Sequence, residues 1–209
     1  MSDSRIATGF VATVAMVIAV GVGYGLHAAH KKREEQRALV SVVGDTTVQL
    51  RGALKSPSPE ALGKIENSLN IAKHWSNADL VDATEQYLVG ARAIVRRRAE
   101  ANRLQAKAAA SRAELAAHMQ RAGNRDTPWI HTASALKRQV ERDHFDLEMQ
   151  LKALADLLDS LPEANKRLAP HVEASLLFDD EARRGARKGV LDESSRASAE
   201  LEKVRATLR

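Results

Sequence analysis

The stretch VERDHFDLEMQLKALADLLDSL, residues 140–161, carries the most regular apolar pattern in the chain. Its apolar residues recur at steps of three, four and seven: Val140, Leu147, Leu151, Leu154, Leu158 and Leu161. These steps place the side chains on one face of an α-helix, where they form a stripe that has to be buried against another helix. We therefore predict a long helix over residues 128–161.

The partner helix is predicted directly upstream, over residues 77–121. One apolar position recurs there every seven residues: Leu80, Tyr87, Ile94, Ala101, Ala108, Leu115 and Ala122. The companion heptad position is poorly apolar: Thr84, Ala91, Arg98 and Gln105. Such a seam is narrow, closer to an Ala-rich antiparallel contact than to a leucine zipper. The turn at residues 123–128, with Thr127 as the expected N-cap before Pro128, joins the two helices into an antiparallel αα-hairpin near residues 77–161.

Two further helices are predicted upstream of the hairpin. The first covers residues 30–55, and its apolar face is Leu39, Val43, Thr46, Leu50 and Leu54. A Ser-Pro-Ser-Pro sequence ends it and starts the second helix, with Ser58 as N-cap and Pro59 as the first helical residue. The second helix ends near residues 74–75, and its buried side is Leu62, Ile65, Leu69 and Ala72. Ser76 then opens the long helix in an arrangement similar to a capping box.

Downstream of the hairpin the helical pattern is weaker. After Leu161 and Pro162, a shorter helix is indicated by Leu168, Val172, Leu176 and Leu177. A basic, glycine-containing connector is expected at residues 183–189. A last amphipathic helix runs from there to the C-terminus on Val190, Ala197, Leu201, Val204 and Leu208.

The composition favours the same all-α class. Charged residues make up 28% of the 209 residues and aromatic residues 3%, with only 5 prolines and 11 glycines. Long helices have this composition, whereas a β-sandwich or barrel needs more turn residues and more aromatic or β-branched strands. Few aromatic residues also predict a thin core with little room for a deep ligand pocket. The absence of cysteine excludes disulfides, thiolate nucleophiles and Cys-ligated zinc.

The segment IATGFVATVAMVIAVGVGYGL, residues 6–26, contains no charged residue. As a helix it would span about 31 Å, close to the thickness of the hydrocarbon core of a bilayer. We therefore predict a single transmembrane anchor within residues 1–29 and a helical bundle domain at residues 30–209. A buried helix of a soluble protein is one alternative. A cleaved signal peptide is another, although its apolar region would be shorter and its start more basic.

The basic residues that flank this segment predict its orientation. Arg5 precedes it, whereas the residues that follow it are Lys31, Lys32, Arg33 and Arg37. Because basic flanks stay on the cytoplasmic side, we expect the bundle domain in the cytoplasm, as part of a single-pass protein of a bacterial inner membrane. Small residues at four-residue spacing leave self-association in the bilayer open: Ala15, Ala19 and Gly23, and Gly21 and Gly25.

A second basic cluster lies on the first hairpin helix: Arg92, Arg96, Arg97, Arg98, Arg103, Lys107 and Arg112. Nucleic-acid binding is one interpretation of such a cluster. It is disfavoured because no aromatic residue is interleaved for base stacking. Consecutive arginines also point in different directions around a helix and cannot form one stripe. We favour a solvated face, or contact with acidic helices or lipid head groups.

No catalytic, cofactor-binding or metal-binding residue is assigned from the sequence. His27, His30 and Glu34 share a helix face at a spacing that can chelate a metal, but they lie where polar residues meet lipid head groups. His144 is expected to be a hydrogen-bonded core residue, with a protonation switch as the alternative. Histidines expected at the surface or at the hairpin end are His118 and His131. No P-loop, Rossmann glycine pattern or nucleophile elbow occurs, so an enzyme is not predicted.

These features together predict a membrane-anchored helical scaffold or interaction subunit of a membrane-associated complex. Its expected partners are the lipid bilayer and other protein subunits, with further copies of the chain left open, and nucleic acid is disfavoured. One alternative is a helical-bundle sensor or ligand-binding domain. Such sensors usually return to the membrane through a second span, and the sequence contains no second apolar run of adequate length. The other is an envelope-spanning coiled-coil protein of the phage or lysis type, which requires the opposite topology.

Overall fold

A computed structural model describes the backbone of residues 3–121 and 126–207 and the side chains of residues 29–121 and 126–206. Within these ranges the chain is helical and contains no strand. The elements in chain order are α1 Asp3–Lys55, α2 Pro59–Ala72, α3 Ala78–Gln120, α4 Thr127–Leu168, a 3-10 turn Ala174–Leu176 and α5 Asp180–Thr207. The prediction of an all-α helical bundle is confirmed.

The long helices α3 and α4 pack along each other as an antiparallel hairpin. Contacts between them run in opposite chain directions: Asp82 with Arg167, Arg97 with Gln150, and Lys107 with Asp143. Leu154 is completely buried and Leu147 is 4% exposed, as their stripe predicts. The heptad residues of α3 from Leu80 to Leu115 are buried as well. Ala122, the last position of that heptad, lies outside the described residues.

Helices α1 and α2 pack against α3, the first helix of the hairpin. The predicted apolar face of α1 is buried or half-buried at every position, and Thr46 among them is 1% exposed. Polar contacts of Thr47 connect α1 to the 3-10 turn and to α3. The hydroxyl of Thr47 donates to the carbonyl of Leu176 in the 3-10 turn at 2.7 Å. That leaves the Tyr87 hydroxyl to donate to Thr47 Oγ1 at 2.5 Å. Burial raises the pKa of Tyr87, so this phenol stays protonated.

Two helix starts differ by one residue from the sequence prediction. Asn77 rather than Ser76 caps α3, since its side-chain oxygen accepts from the backbone amides of Asp79 and Leu80. Asp126 rather than Thr127 caps α4 and accepts from the amide of Trp129 at 3.0 Å. The predicted cap of α2 is confirmed, because Ser58 Oγ accepts from the amide of Ala61. Amide and carboxylate oxygens compete well with a neighbouring hydroxyl for this position.

The prediction that the second hairpin helix ends at Leu161 is wrong. Helix α4 continues through Pro162 to Leu168. Proline removes the hydrogen bond to the carbonyl of Leu158, which weakens a helix interior. The following turns nevertheless bury Ala164 and Leu168 in the core. This burial holds the helix past the proline, and the shorter helix predicted around Leu168 is reduced to the 3-10 turn.

The predicted connector at residues 183–189 is also wrong, because it forms the first half of α5. Arg183 and Arg187 lie one turn apart and both contact Asp159 of α4, at 2.8 Å and 2.7 Å. These ion pairs fix the N-terminal half of α5 on α4. Further along α5, Val190, Ala197 and Leu201 are also buried, and Leu208 lies outside the described residues.

No helix in the part of the chain whose side chains are described is both long and apolar enough to cross a membrane. The predicted span at residues 6–26 lies outside that part. The anchor therefore remains a prediction from the sequence.

Candidate functional site

The basic cluster on α3 is distributed among the other helices. Most of its cations contact an acidic or amide group, in the pairs Arg96–Glu66, Arg97–Gln150, Arg98–Glu193, Arg103–Glu100, Lys107–Asp143 and Arg112–Glu200. Successive residues of a helix point about 100° apart. Arg96, Arg97 and Arg98 therefore reach three different helices, α2, α4 and α5. Four of the pairs join α3 to an acidic residue of another helix, whereas Arg97 contacts an amide and Arg103 contacts a glutamate of α3 itself.

The pair of Arg98 and Glu193 is the most deeply buried of the ion pairs between α3 and α5. Both terminal nitrogens of Arg98 donate to the Glu193 carboxylate, at 2.6 Å and 3.0 Å. The side chains are 10% and 27% exposed. A two-point contact of this kind fixes both distance and angle between the two helices. It occupies the companion heptad position of α3 that the sequence marked as poorly apolar.

We refer to this contact line as the α3–α5 seam and define it by Arg98, Asn102, Arg112, Glu193 and Glu200. Arg112 of α3 contacts Glu200 of α5 further along the seam. Three buried polar atoms of the seam have no hydrogen-bond partner in the described part of the chain: Arg98 Nε, Asn102 Oδ1 and Arg112 Nε. Helix α5 packs its apolar side on α4 and meets α3 mainly through these long polar side chains. Of the contacts among α3, α4 and α5, the seam is therefore the least apolar.

Two cavities lie along the seam on either side of the Arg98–Glu193 pair. The larger one, the junction groove, has a volume of about 420 Å³ and lies between the end of α1, Phe178 and the first half of α5. The smaller one measures about 180 Å³ and lies between α3, α4 and α5 nearer the hairpin turn. The sequence predicts little room for a ligand. The groove nevertheless forms, because α1 ends where α5 begins and a gap remains between the two helices.

His144 lines the smaller cavity and is 2% exposed. Its Nδ1 donates to the carbonyl of Val140 at 2.9 Å, which confirms it as a hydrogen-bonded core histidine. The neighbouring Asp143 is also buried and contacts Lys107 at 2.8 Å. Burial acts to raise the pKa of Asp143, but hydrogen bonds from Lys107, Gln139 and Ser111 outweigh it, so that pKa lies below its ordinary value. The carboxylate thus stays ionised inside the bundle.

Among the described side chains, the other histidines do not assemble a metal site. His30 contacts Glu34 at 3.4 Å on an exposed face, and His27 lies outside the residues whose side chains are described. His118 is at the hairpin end, as predicted, but it is buried and stacks on Trp129 with a 5.0 Å ring separation. His131 is exposed. Across the described side chains, no three potential ligands lie close enough to hold a metal ion.

No protein-family model, curated protein or solved structure matches this chain.

A contact at the start of the bundle was not predicted from the sequence. Glu35 of α1 is 6% exposed and accepts from the backbone amide of Ser76 at 2.7 Å and from its hydroxyl at 2.6 Å. The hydrogen bond from the Ser76 hydroxyl is the main reason that the pKa of Glu35 lies below its ordinary value of 4.5. The α2–α3 connection is thereby tied to the helix that leads from the N-terminus. Glu35 follows a basic run, so the sequence suggests a solvated residue rather than a buried acceptor.

We expect the contribution of Glu35 to stability to depend on pH. Its pKa is lowered by folding, so the stabilisation is fully present above about pH 4.5 and is lost as the pH falls through the folded-state pKa. Between pH 7 and pH 3, the stability advantage of the natural protein over Glu35→Gln should shrink. Denaturant unfolding at a series of pH values measures this difference. The control change Glu114→Gln, at an exposed glutamate of α3 that forms no ion pair with any residue whose side chain is described, should show no such trend. An advantage that is constant across the range would contradict the assignment.

Proposed function

We propose that the chain is a membrane-anchored helical scaffold in which α1 is both the anchor and the first helix of the bundle. The continuity of α1 from Asp3 to Lys55 supports this most directly. Its second half is fixed in the core by Leu39, Val43 and Leu50, which are completely buried. A bilayer segment at the start of this helix would therefore orient the whole bundle without a flexible linker.

The length of the hairpin supports a spacer role. Helix α3 has 43 residues and so a length of about 65 Å. The start of α3 lies beside α1, because Glu35 of α1 accepts a hydrogen bond from Ser76. The end of α4 also lies beside α1, because Gln36 of α1 donates to the carbonyl of His171. Gln120 and Thr127, where α3 ends and α4 begins, lie at the opposite end of the bundle. A partner bound there would be held roughly 60 Å from the proposed membrane surface.

An exposed apolar pair on the outer face of α4 is a candidate contact for other subunits. Phe145 and Met149 lie one turn apart and are 60% and 49% exposed. Arg138 and Arg142 continue the same face towards the hairpin turn, and both are exposed. Aromatic, methionine and arginine side chains are the ones enriched in protein interfaces. We include a further copy of the chain among the partners that this face could bind.

The test of the anchor compares the full chain with a variant that lacks residues 1–29. The full chain should fractionate with membranes and resist extraction by carbonate, whereas the shortened chain should be soluble. We expect the shortened chain to remain highly helical by circular dichroism, because its apolar residues are buried inside the bundle. Recovery of the full chain in the soluble fraction would contradict the proposal.

A reporter fused to the C-terminus tests the orientation. Four basic residues follow the proposed span and one precedes it, so we place residues 30–209 in the cytoplasm of a bacterial cell. An alkaline phosphatase fusion should be inactive and a fluorescent-protein fusion bright. A variant with reversed flanking charge should give the opposite result for both reporters. It carries glutamine at Lys31, Lys32, Arg33 and Arg37 and has lysines added before residue 6. An active phosphatase on the unmodified chain would instead favour the envelope-spanning alternative.

A further inference from the structure

The junction groove combines an apolar floor with a cationic mouth. Leu54, Phe178 and Val190 contribute to its floor, and Phe178 is 1% exposed. Arg51 and Lys55, both from the last turns of α1, lie at its edge. Arg51 contacts Asp179 at 2.7 Å, whereas Lys55 forms no ion pair with any residue whose side chain is described. The mouth therefore offers an uncompensated positive charge next to an apolar surface.

The α5 wall of the groove carries only small residues, two glycines and the alanines Ala182 and Ala186. Gly185 and Gly189 lie one turn apart on α5 and both line the groove. A Cβ atom built on either glycine would meet nothing within 4 Å. A ligand can therefore lie directly against the backbone of α5 at this wall. Residues with side chains at these two positions would narrow the groove.

We propose that the junction groove binds a single-chain anionic amphiphile, such as a carboxylate with about ten carbons. A volume of about 420 Å³ holds roughly 14 groups of the size of a water or methylene, at about 30 Å³ each. This volume is within the range of small-molecule sites, which are mostly apolar with a few polar groups that fix orientation. The alkyl chain lies on Phe178 and along the glycine wall. The carboxylate lies at Lys55 and Arg51.

The position of the groove favours a free amphiphile over a lipid of the bilayer. Lys55 is 29 residues beyond the end of the predicted span at residue 26, which corresponds to about 43 Å along a helix. A lipid that remains in the bilayer does not reach so far. This step alone rests on the proposed anchor, whereas the groove and its chemistry do not depend on it.

Photolabelling tests the site in the full chain, reconstituted in nanodiscs free of detergent. The probe is decanoic acid with a diazirine on its chain, and the labelled residues are located by mass spectrometry. We expect labels on the end of α1, at Phe178 and on the first half of α5. Labels confined to residues outside the groove would overturn the proposal.

Two variants block the site in different ways. Gly189→Trp fills the groove from its open wall and should lower labelling there by at least about tenfold, or 1.4 kcal/mol. Its matched control is Gly63→Trp on α2, where a Cβ also meets nothing within 4 Å. Lys55→Glu, a surface change that does not disturb the core, should lower labelling by about tenfold as well. Its control is Arg142→Glu on the exposed face of α4. Equal labelling of the variants and their controls would overturn the proposal.

Two further probes separate the chemistry from the source. Decanol with the same diazirine should label the groove on the order of tenfold less, and equal labelling would overturn the requirement for an anion. A photoreactive phospholipid placed in the nanodisc should label the N-terminal segment and not the groove. Groove labelling by this phospholipid would overturn the assignment to a free amphiphile. If the chain did not associate with membranes, the proposed anchor would fail, and the decanoate result would still decide the groove.

Discussion

Replacement of Leu154 with alanine is expected to lower the free energy of unfolding by about 2–5 kcal/mol. Leu154 is completely buried, and it lies in the core between α4 and the other helices together with Leu151 and Leu158. Removal of its branched end leaves a cavity that the surrounding helices cannot fully close. Denaturant unfolding of the purified protein, followed by circular dichroism at pH 7, measures the change.

The matched control is Met149→Ala, on the same helix but 49% exposed. A surface change of this kind should shift the unfolding free energy by no more than about 0.5 kcal/mol. An equal loss in both variants would mean that the outer face of α4 is buried in solution, for example in an oligomer. A loss below about 1 kcal/mol for Leu154→Ala would contradict the packing of the hairpin.

Loss of one partner in the Arg98–Glu193 pair should have a comparable effect. Glu193→Leu leaves the Arg98 guanidinium, which is 10% exposed, without its counter-charge, and should cost about 3 kcal/mol. Arg98→Leu should cost less, about 1–2 kcal/mol, because Glu193 is 27% exposed and regains water. The double variant should recover most of the loss, since neither charge is then left buried. Unfolding of the three variants gives the coupling between the two residues.

The pair of Arg103 and Glu100 serves as the control cycle. These residues also form an ion pair, but their side chains are 64% and 40% exposed, so each single change should leave the stability almost unchanged. If the Arg98 and Glu193 losses simply added in the double variant, the two residues would be energetically independent. The Arg98–Glu193 contact would then not stabilise the α3–α5 seam.

The hairpin could be predicted because its evidence is local. The stripe from Val140 to Leu161 and the heptads from Leu80 to Leu115 specify which faces are buried, and the short turn requires antiparallel packing. The structure places these residues in the core as predicted. The N-cap residues were harder to predict, since adjacent residues such as Ser76 and Asn77 can both accept from the amides of the first turn. The Ser76 hydroxyl instead donates to Glu35, 41 residues earlier in the chain, which leaves Asn77 as the cap.

The end of α4 and the start of α5 could not be predicted from local signals. Pro162 and the glycines at 185 and 189 indicate a helix end and a connector. The burial of Leu168 and the ion pairs of Asp159 with Arg183 and Arg187 outweigh them. These partners are distant in sequence, so a pattern within one segment does not contain them.

The sequence by itself determined the all-α class, the buried faces of the two hairpin helices and the polar character of the α3 position that Arg98 occupies. Each of these follows from the period of side chains on one helix, which is fixed before any contact forms. Only the tertiary structure decided which partners these polar residues contact, because Arg96, Arg97 and Arg98 each contact a different helix. It also decided that α1 ends beside the start of α5. The junction groove exists because the end of α1 and the start of α5 line the same space, and no single segment encodes that space.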